Sequence, residues 1–257
     1  MAKAVWGADP EFFGPRHAHR DGRILRRLGR AAPAPNLHLE CAAGVGSLAL
    51  ALARKGRTVV AADLSLRSLE VLGGHAKACG LDSMVLPVVA DITHLPFPDR
   101  VFSSATSAET LEHIPEHAEA VVELARVLTP GGWLVGTVPA GPSQWSEWDD
   151  WAGHLRRYSA AGMEEILAAA GLEPEVTVWG WPMVRLYDNL FLTRVNRRRL
   201  HLDGTVDDDR ALSRVSGLGR LRWLVAIVRS LFTADRVFDG CPWGVGVLFA
   251  GQKKRTG

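Results

Sequence analysis

Cysteine is scarce, net charge is small and long apolar runs are missing. Cys41, Cys79 and Cys241 are widely spaced in 257 residues and odd in number. They make no metal-ligand pattern and no disulfide framework, which points to a reduced, cytoplasmic protein. A formal charge of +2 is too slight to imply a nucleic-acid partner. No apolar run approaches the ~20 residues that span a bilayer, and no apolar signal core precedes the first basic residues, so a chain neither secreted nor integral is expected. Internal repeats and low-complexity tracts are also missing. With 47% hydrophobic residues the chain can bury one large core, and nothing forces a second.

The chain is organised around Asn36 to Ser65. Leu37 and Leu39 give a short apolar strand with Glu40 at its carboxyl end. Gly44 and Gly46 let backbone approach a ligand closely, and Ser47 to Arg54 follows as a helix whose first N–H groups point at that turn. A second strand ends in Asp63, followed by Leu64. Strand, glycine turn, helix and strand ending in a carboxylate is how a parallel α/β sheet builds a nucleotide site.

Around this unit, residues 1–35 read as an N-terminal helical cap, with six arginines from Arg16 to Arg30 interleaved with Ile24, Leu25 and Leu28 and then an Ala-Pro linker. Residues 36–180 and 244–257 read as the core. Ser65 can cap a helix that Gly80 ends. Met84 to Ala90 is a third strand ending at Asp91 and Ile92, and Val101 to Thr106 a fourth. Glu112 to Leu128 reads as a helix with Pro115 in its first turn, Thr129-Pro-Gly-Gly132 as a stop and turn, and Trp133 to Val138 as a fifth strand. A tryptophan-rich loop with Trp145, Trp148 and Trp151, a helix from Ala160 to Ala170, a sixth strand from Glu175 to Trp179 and a last strand from Val245 to Ala250 complete it. The alternation implies an α/β fold with a largely parallel sheet.

Three strands end in acids, Glu40, Asp63 and Asp91, and the carboxyl ends of strands in such a sheet face one crevice. Asp63 is placed to accept from ribose hydroxyls, Asp91 from an exocyclic amine, and Glu40 either meets an ammonium or holds the turn. These groups describe an adenosine-containing ligand with a cationic end.

The motifs carry a resemblance. Leu39-Glu-Cys-Ala-Ala-Gly-Val-Gly46 resembles the first motif of class I S-adenosylmethionine-dependent methyltransferases. Leu95-Pro-Phe-Pro-Asp99, Glu109-Thr-Leu-Glu-His-Ile-Pro115 and Ala125-Arg-Val-Leu-Thr-Pro-Gly-Gly-Trp-Leu-Val135 are similar to successive signatures of the family's small-molecule branch. The resemblance implies a Rossmann-like seven-stranded sheet with its last strand antiparallel and S-adenosyl-L-methionine as cofactor. By position it assigns Glu40, Ala42, Gly44 and Gly46 to the methionine side, Asp63 and Leu64 to the ribose, Asp91 and Ile92 to the adenine edge, and Ser107 and Glu109 to the ground under the sulfonium. Ala42 stands where the family has its first glycine.

Methyl transfer to an alcohol or phenol needs an in-line nucleophile and a base. His154, in Gly153-His-Leu-Arg-Arg-Tyr158, is the preferred base, because that segment follows the fifth strand, where the family builds its acceptor site; His113 and Tyr158 are the other candidates. Equally, His154 and Tyr158 could hold a loop by hydrogen bonds. The spacing His113-Ile-Pro-Glu-His117 matches an inverted zinc motif, but a proline between the histidines and no third ligand nearby favour a solvated helix start, so no metal is expected. His17 and His19 read as surface or cofactor-lid contacts, Asp149, Asp150 and Asp207 to Asp209 as solvated charges, and the tryptophans as anchors or as walls of an apolar acceptor pocket.

Residues 181–243 form an insertion between the last two strands in which arginines outnumber acids, and Leu221, Leu224, Val225, Val228, Leu231 and Phe232 fall on one helical face. It reads as a helical lid or cap, with peripheral membrane contact, a dimer interface or a purely structural hairpin as the open alternatives. The expectation is a cytoplasmic methyltransferase, monomer or homodimer, acting on a small organic acceptor such as a natural product or a glycan- or lipid-like molecule, with transfer to oxygen favoured. Two other classes stay open: an NAD(P)-dependent oxidoreductase, since Gly44-Val-Gly46-Ser-Leu-Ala49 also fits a dinucleotide fingerprint, and a non-catalytic cofactor-binding scaffold.

Overall fold

The structure is a computed structural model that describes residues 14–32, 34, 36–192 and 222–255. Its seven strands are β1 (Leu37–Cys41), β2 (Thr58–Asp63), β3 (Val85–Val89), β4 (Phe102–Ala108), β5 (Leu128–Pro139), β6 (Leu172–Trp179) and β7 (Gly246–Lys253). They form one sheet in the order β3-β2-β1-β4-β5-β7-β6. The first five pair in parallel, and β7 runs antiparallel between β5 and β6. The fold is Rossmann-like with an antiparallel last strand, as the motifs imply.

Because side chains alternate across a strand, each sheet face has its own core. On one face, helices α1 (Pro15–Ala31), α2 (Ser47–Ala53) and α3 (Leu66–Ala78) pack Ile24, Leu28, Leu48, Leu52 and Leu72 against Val59, Ala61 and Val135. On the other, α4 (His117–Val127) and α6 (Ala160–Ala169) pack Val121, Leu124, Met163 and Leu167 against Leu39, Phe102, Leu134 and Phe249. The Ser65 side chain accepts from the Ser68 N–H and starts α3, as its sequence predicts.

Two details correct the sequence reading. Residues 112–116 are not α-helical: Leu111–His113 is a single 3-10 turn, Ile114 is extended, and α4 begins only at His117. A residue before proline is pushed out of the helical region, so Pro115 breaks the segment rather than starting it. The expected turn at Thr129-Pro-Gly-Gly132 is a bulge within β5, since Phe102 pairs with Leu128 while Ser104 already pairs with Trp133.

His38 is a buried polar residue in the middle of the sheet. Its two ring nitrogens lie 2.8 Å from Ser104 Oγ and 2.9 Å from Thr106 Oγ1, and burial, then nearby Arg57, pushes its pKa down to about 3. Arg57, also buried, donates to Asn36 Oδ1 and to the Ala32 carbonyl, fastening the end of α1 to the sheet.

Of the segment 181–243, the described parts are helical: α7 (Met183–Tyr187), a π-turn (Asp188–Leu192), α8 (Arg222–Phe232) and a 3-10 run (Thr233–Phe238). Residues 193–221, with Asp207 to Asp209, lie outside the described residues. Asp235, buried, accepts from the N–H groups of Met183 and Val184 at 2.8 and 2.9 Å. Phe232 is buried with Trp179 and Val184, whereas Leu231 is exposed, so the apolar face of α8 is narrower than its spacing suggests. Among the described residues no helix is long and apolar enough to cross a membrane.

Candidate active site

In the sheet β1 lies between β2 and β4, so Glu40 stands between the strands that carry Asp63 and Ser107, while Asp91 follows the outer strand β3. Gly46 caps α2 at φ +88°, and a Cβ there would lie 2.5 Å from Leu72 Cγ, so a side chain would be strained and would force Leu72 to move. Gly44 sits at φ +53° with open space where a Cβ would point. Asp63 closes this turn on itself: Oδ2 accepts from the Gly44 N–H and Oδ1 from the Ser65 N–H, both at 2.8 Å. A carboxylate oxygen carries two lone pairs, so each retains a site for a ligand hydroxyl while holding the loop. Leu64 beside it is exposed, Ile92 is buried, and the Asp91 carboxylate is held by the Thr93 N–H and hydroxyl at 2.9 and 2.7 Å, which lower its pKa.

Ala42 also adopts a positive φ, +57°, and its side chain is exposed. Left-handed backbone costs an L-residue roughly 1–2 kcal/mol. The residue type at the family's glycine position is therefore discordant for a backbone reason, beyond the closer approach that a missing Cβ allows.

Glu40 is buried on the α1 side of the sheet, and its Oε2 has no partner among the described residues. Burial raises its pKa well above the usual carboxylate range, Asp21 and Asp63 add to this, and Arg20 opposes it. Asp21 and Arg20 come from α1, where the sequence reading had offered only His17 and His19 as surface or cofactor-lid contacts. His17 and Asp21 lie one turn apart on α1, their side chains 3.1 Å apart, and both reach Ser47 at the head of α2, at 3.1 and 3.3 Å. Arg20 donates to Asp21, and Arg16 donates to Asp188 at 3.0 Å in the insertion. His19 points elsewhere, buried between the rings of Trp179 and Phe232, and its pKa falls to about 4 by burial and then by nearby arginines.

Beyond the end of β4 a second group gathers. Ser107 is buried with its hydroxyl unpartnered among the described residues. Glu109 takes a positive φ of +52°. Burial pushes its carboxyl up, but Arg20 and Arg16 more than offset that and leave the pKa lowered. Glu112 is 0% exposed, and neither of its carboxylate oxygens has a partner among the described residues. Burial, then the Glu109 charge, drives its pKa far up. The His113 and His154 rings meet edge to face at 4.8 Å.

His154 is oriented by Asp149, whose Oδ1 lies 2.7 Å from its Nδ1. The sequence reading of Asp149 as a solvated charge is overturned, because the residue is completely buried. It also accepts from Ser146 N and Oγ, at 2.8 and 2.9 Å, and from Arg157 Nε and Nη2, at 2.7 and 2.8 Å. Burial alone would raise its pKa, but these donors pull it well down. The signal was present as Ser146-x-x-Asp149, a capping box at the start of α5 (Glu147–Ala152). Tyr158 is buried elsewhere: its hydroxyl lies 3.1 Å from His117 Nδ1, and its backbone joins Pro139 and Gly141. The pair His113 and His117 is thus split, one side chain toward His154 and the other toward Tyr158. Trp148 and Trp151 stack on each other at 4.6 Å, and Trp145 donates to Asp150.

Residues 39–136 match the family model described as a methyltransferase domain. These residues are similar to a methyltransferase domain. Over 113 residues the chain is 40% identical to methyltransferase GfsG of Streptomyces halstedii, covering 44% of this chain and 40% of that one. Over 134 residues it is 34% identical to the ubiquinone biosynthesis O-methyltransferase of Paracidovorax citrulli, covering 52% and 56%. The chain thus spans about half the length of these curated relatives. Phosphoethanolamine N-methyltransferase 2 of Haemonchus contortus, solved with S-adenosyl-L-methionine, shares the fold at a TM-score of 0.65 and 22% identity, over 98% of this chain and 55% of that one. The matched residues end before Asp149 and His154, so the loop that carries these two side chains lies outside the match.

Proposed function

We propose that the chain is an S-adenosyl-L-methionine-dependent methyltransferase that methylates a hydroxyl of a small, partly apolar organic acceptor. The residues fit the cofactor: an open turn at Gly44, a carboxylate at Asp63 with lone pairs to spare, and at Glu40 a buried acceptor atom without a partner among the described residues. When bound, S-adenosyl-L-methionine supplies an electrophilic methyl group on a sulfonium. Glu40 would receive its ammonium, Asp63 its ribose, and Asp91 with Ile92 its adenine edge.

The observation that carries transfer to oxygen is the His154–Asp149 pair beside Glu112. A carboxylate on Nδ1 fixes the imidazole tautomer and leaves Nε2 to serve an acceptor hydroxyl. The curated O-methyltransferase relative supports the same reading. Exposed Leu186, Leu190, Phe191 and Ile227 in the insertion suit an acceptor with an apolar body, or one presented at a membrane surface.

The test is incubation of the full chain with methyl-labelled cofactor and a panel of phenols, catechols and hydroxylated quinones. Label in an O-methyl product is expected. Tight cofactor binding without transfer to any acceptor, including a cell extract, would leave the scaffold reading, and calorimetric binding of NADH in place of S-adenosylmethionine would leave the oxidoreductase.

A further inference from the structure

One face of α1 carries positive charge that the described residues leave unbalanced. His19, Gly22, Arg23, Arg26 and Arg30 recur at spacings of three and four and share that face. The insertion packs there: a Cβ on Gly22 would lie 2.9 Å from Arg229 Nη2, so the Arg229 guanidinium of α8 rests against α1 itself. Arg236, in the 3-10 run after α8, adds its charge. The Arg26 pKa is lowered by burial first and then by Arg236, Arg23, Arg229 and Arg30, and Arg23, Arg229 and Arg26 also help to lower that of His19. Acids do not match these cations. Arg23 Nη2 meets Asp239 at 2.6 Å, but among the described residues Arg26, Arg30, Arg229 and Arg236 have no acid within ion-pair distance. Asp235 is already taken by the N–H groups of Met183 and Val184. Arg23 is itself buried, 6% exposed, and its Nε and Nη1 have no acceptor among the described residues. The Trp179 ring, 5.7 Å from its guanidinium carbon, holds the group in place without offering a lone pair. Buried donors left unpaired are costly, and like charges drawn together across a seam repel.

We propose that Arg23, Arg26, Arg229 and Arg236 form a site for a phosphate-bearing ligand, a phosphate or diphosphate ester, seated in the seam between α1 and the insertion. Guanidinium groups match phosphate oxygens in charge and geometry. A lone carboxylate would leave most of this charge unbalanced, whereas a phosphate ester brings a charge of about −2 and three acceptor oxygens. The site stands apart from the crevice, because about 15 Å of helix separates Arg26 from Arg16, which pairs with Asp188. It therefore does not rest on the methyltransferase reading. A bound phosphate draws the insertion onto α1, where the bare arginines push the two apart.

The experiment is calorimetric titration of the full chain with pyrophosphate in phosphate-free buffer of low ionic strength, and binding at one site is expected. The double variant Arg26→Gln/Arg236→Gln should weaken it at least about 10-fold. The double variant Arg54→Gln/Lys55→Gln removes the same charge from exposed residues just after α2 and should leave it within a factor of two. Without pyrophosphate, the urea midpoint of Arg26→Gln/Arg236→Gln should match or exceed that of the wild type, because repulsion is relieved. A lower midpoint would make these arginines part of the fold's own support and overturn the proposal. Sedimentation with phosphatidylglycerol vesicles, beside vesicles of phosphatidylcholine alone, separates two sources of the phosphate. Sedimentation with the first only, lost in Arg26→Gln/Arg236→Gln, assigns the site to a lipid headgroup, and pyrophosphate binding without it assigns a soluble ester. If the wild-type chain shows neither pyrophosphate binding nor sedimentation sensitive to that variant, or if both double variants lose binding equally, no such site exists.

Discussion

The two ends of the crevice are built differently. The proposed cofactor end is made within one stretch of chain, where β1, the glycine turn, α2 and β2 place Glu40, Gly44, Gly46 and Asp63. Its groups are held by backbone, as where Asp63 accepts from Gly44 and Ser65. The proposed acceptor end is assembled from two loops about forty residues apart, and a buried network of side chains around Asp149 holds it. A site made of backbone is set by conformation and tolerates few side chains. A site made of side chains is set by charge and protonation, and one substitution can change its chemistry while the fold stays.

Gly46→Ala should break the first end most severely. The added Cβ would meet Leu72 Cγ at 2.5 Å in a backbone at φ +88°. Overpacking together with left-handed strain predicts a loss of about 2–5 kcal/mol, read from urea unfolding, and loss of cofactor binding with it. Unchanged stability would show that this turn is softer than its geometry implies.

Asp149→Asn tests the contrast itself. It keeps the shape but removes the charge that orients His154, so transfer should fall about 100-fold while the affinity for S-adenosylhomocysteine stays within a factor of two. An equal loss in both quantities would mean that the two ends are not separable.

Acid should reach the centre of the sheet through His38. This histidine is neutral in the fold, with a pKa of about 3, and has an ordinary value near 6.5 when exposed. Below pH 6.5 the unfolded chain therefore binds more protons, and stability is lost as pH falls toward 3 at about 1.4 kcal/mol per pH unit. Urea midpoints at pH 7 and pH 5 measure the slope, and His38→Gln should reduce it. His19 contributes in the same direction.

The same contrast explains what could be read from the sequence. Strand ends, the glycine turn and the cap at Ser65 were legible because each depends on residues within a few positions of one another. Arg16 was not, because its partner Asp188 is 172 residues away. Asp149 looked like a solvated charge because Asp150 beside it is exposed, and only the fold brings Arg157 and His154 around it. Glu112 was hidden by a helix drawn too early, and the break before Pro115 places it in a separate turn that is buried beyond β4.

Ala42→Gly should have the smallest effect and resolves the one discordant residue of the glycine turn. At φ +57° alanine is strained where glycine is not, while glycine adds entropy to the unfolded chain, so a net gain of about 0.5–1 kcal/mol is expected. The Ala42 methyl is exposed on the turn that would face the methionine end of the cofactor. Two outcomes therefore separate. If stability rises and S-adenosylmethionine affinity does not, the methyl costs only backbone strain and does not hinder the cofactor. If affinity rises by more than the stability gain accounts for, the methyl itself holds the ligand away. The cofactor end would then share a property of the acceptor end, a side chain that tunes the chemistry where backbone alone was thought to act.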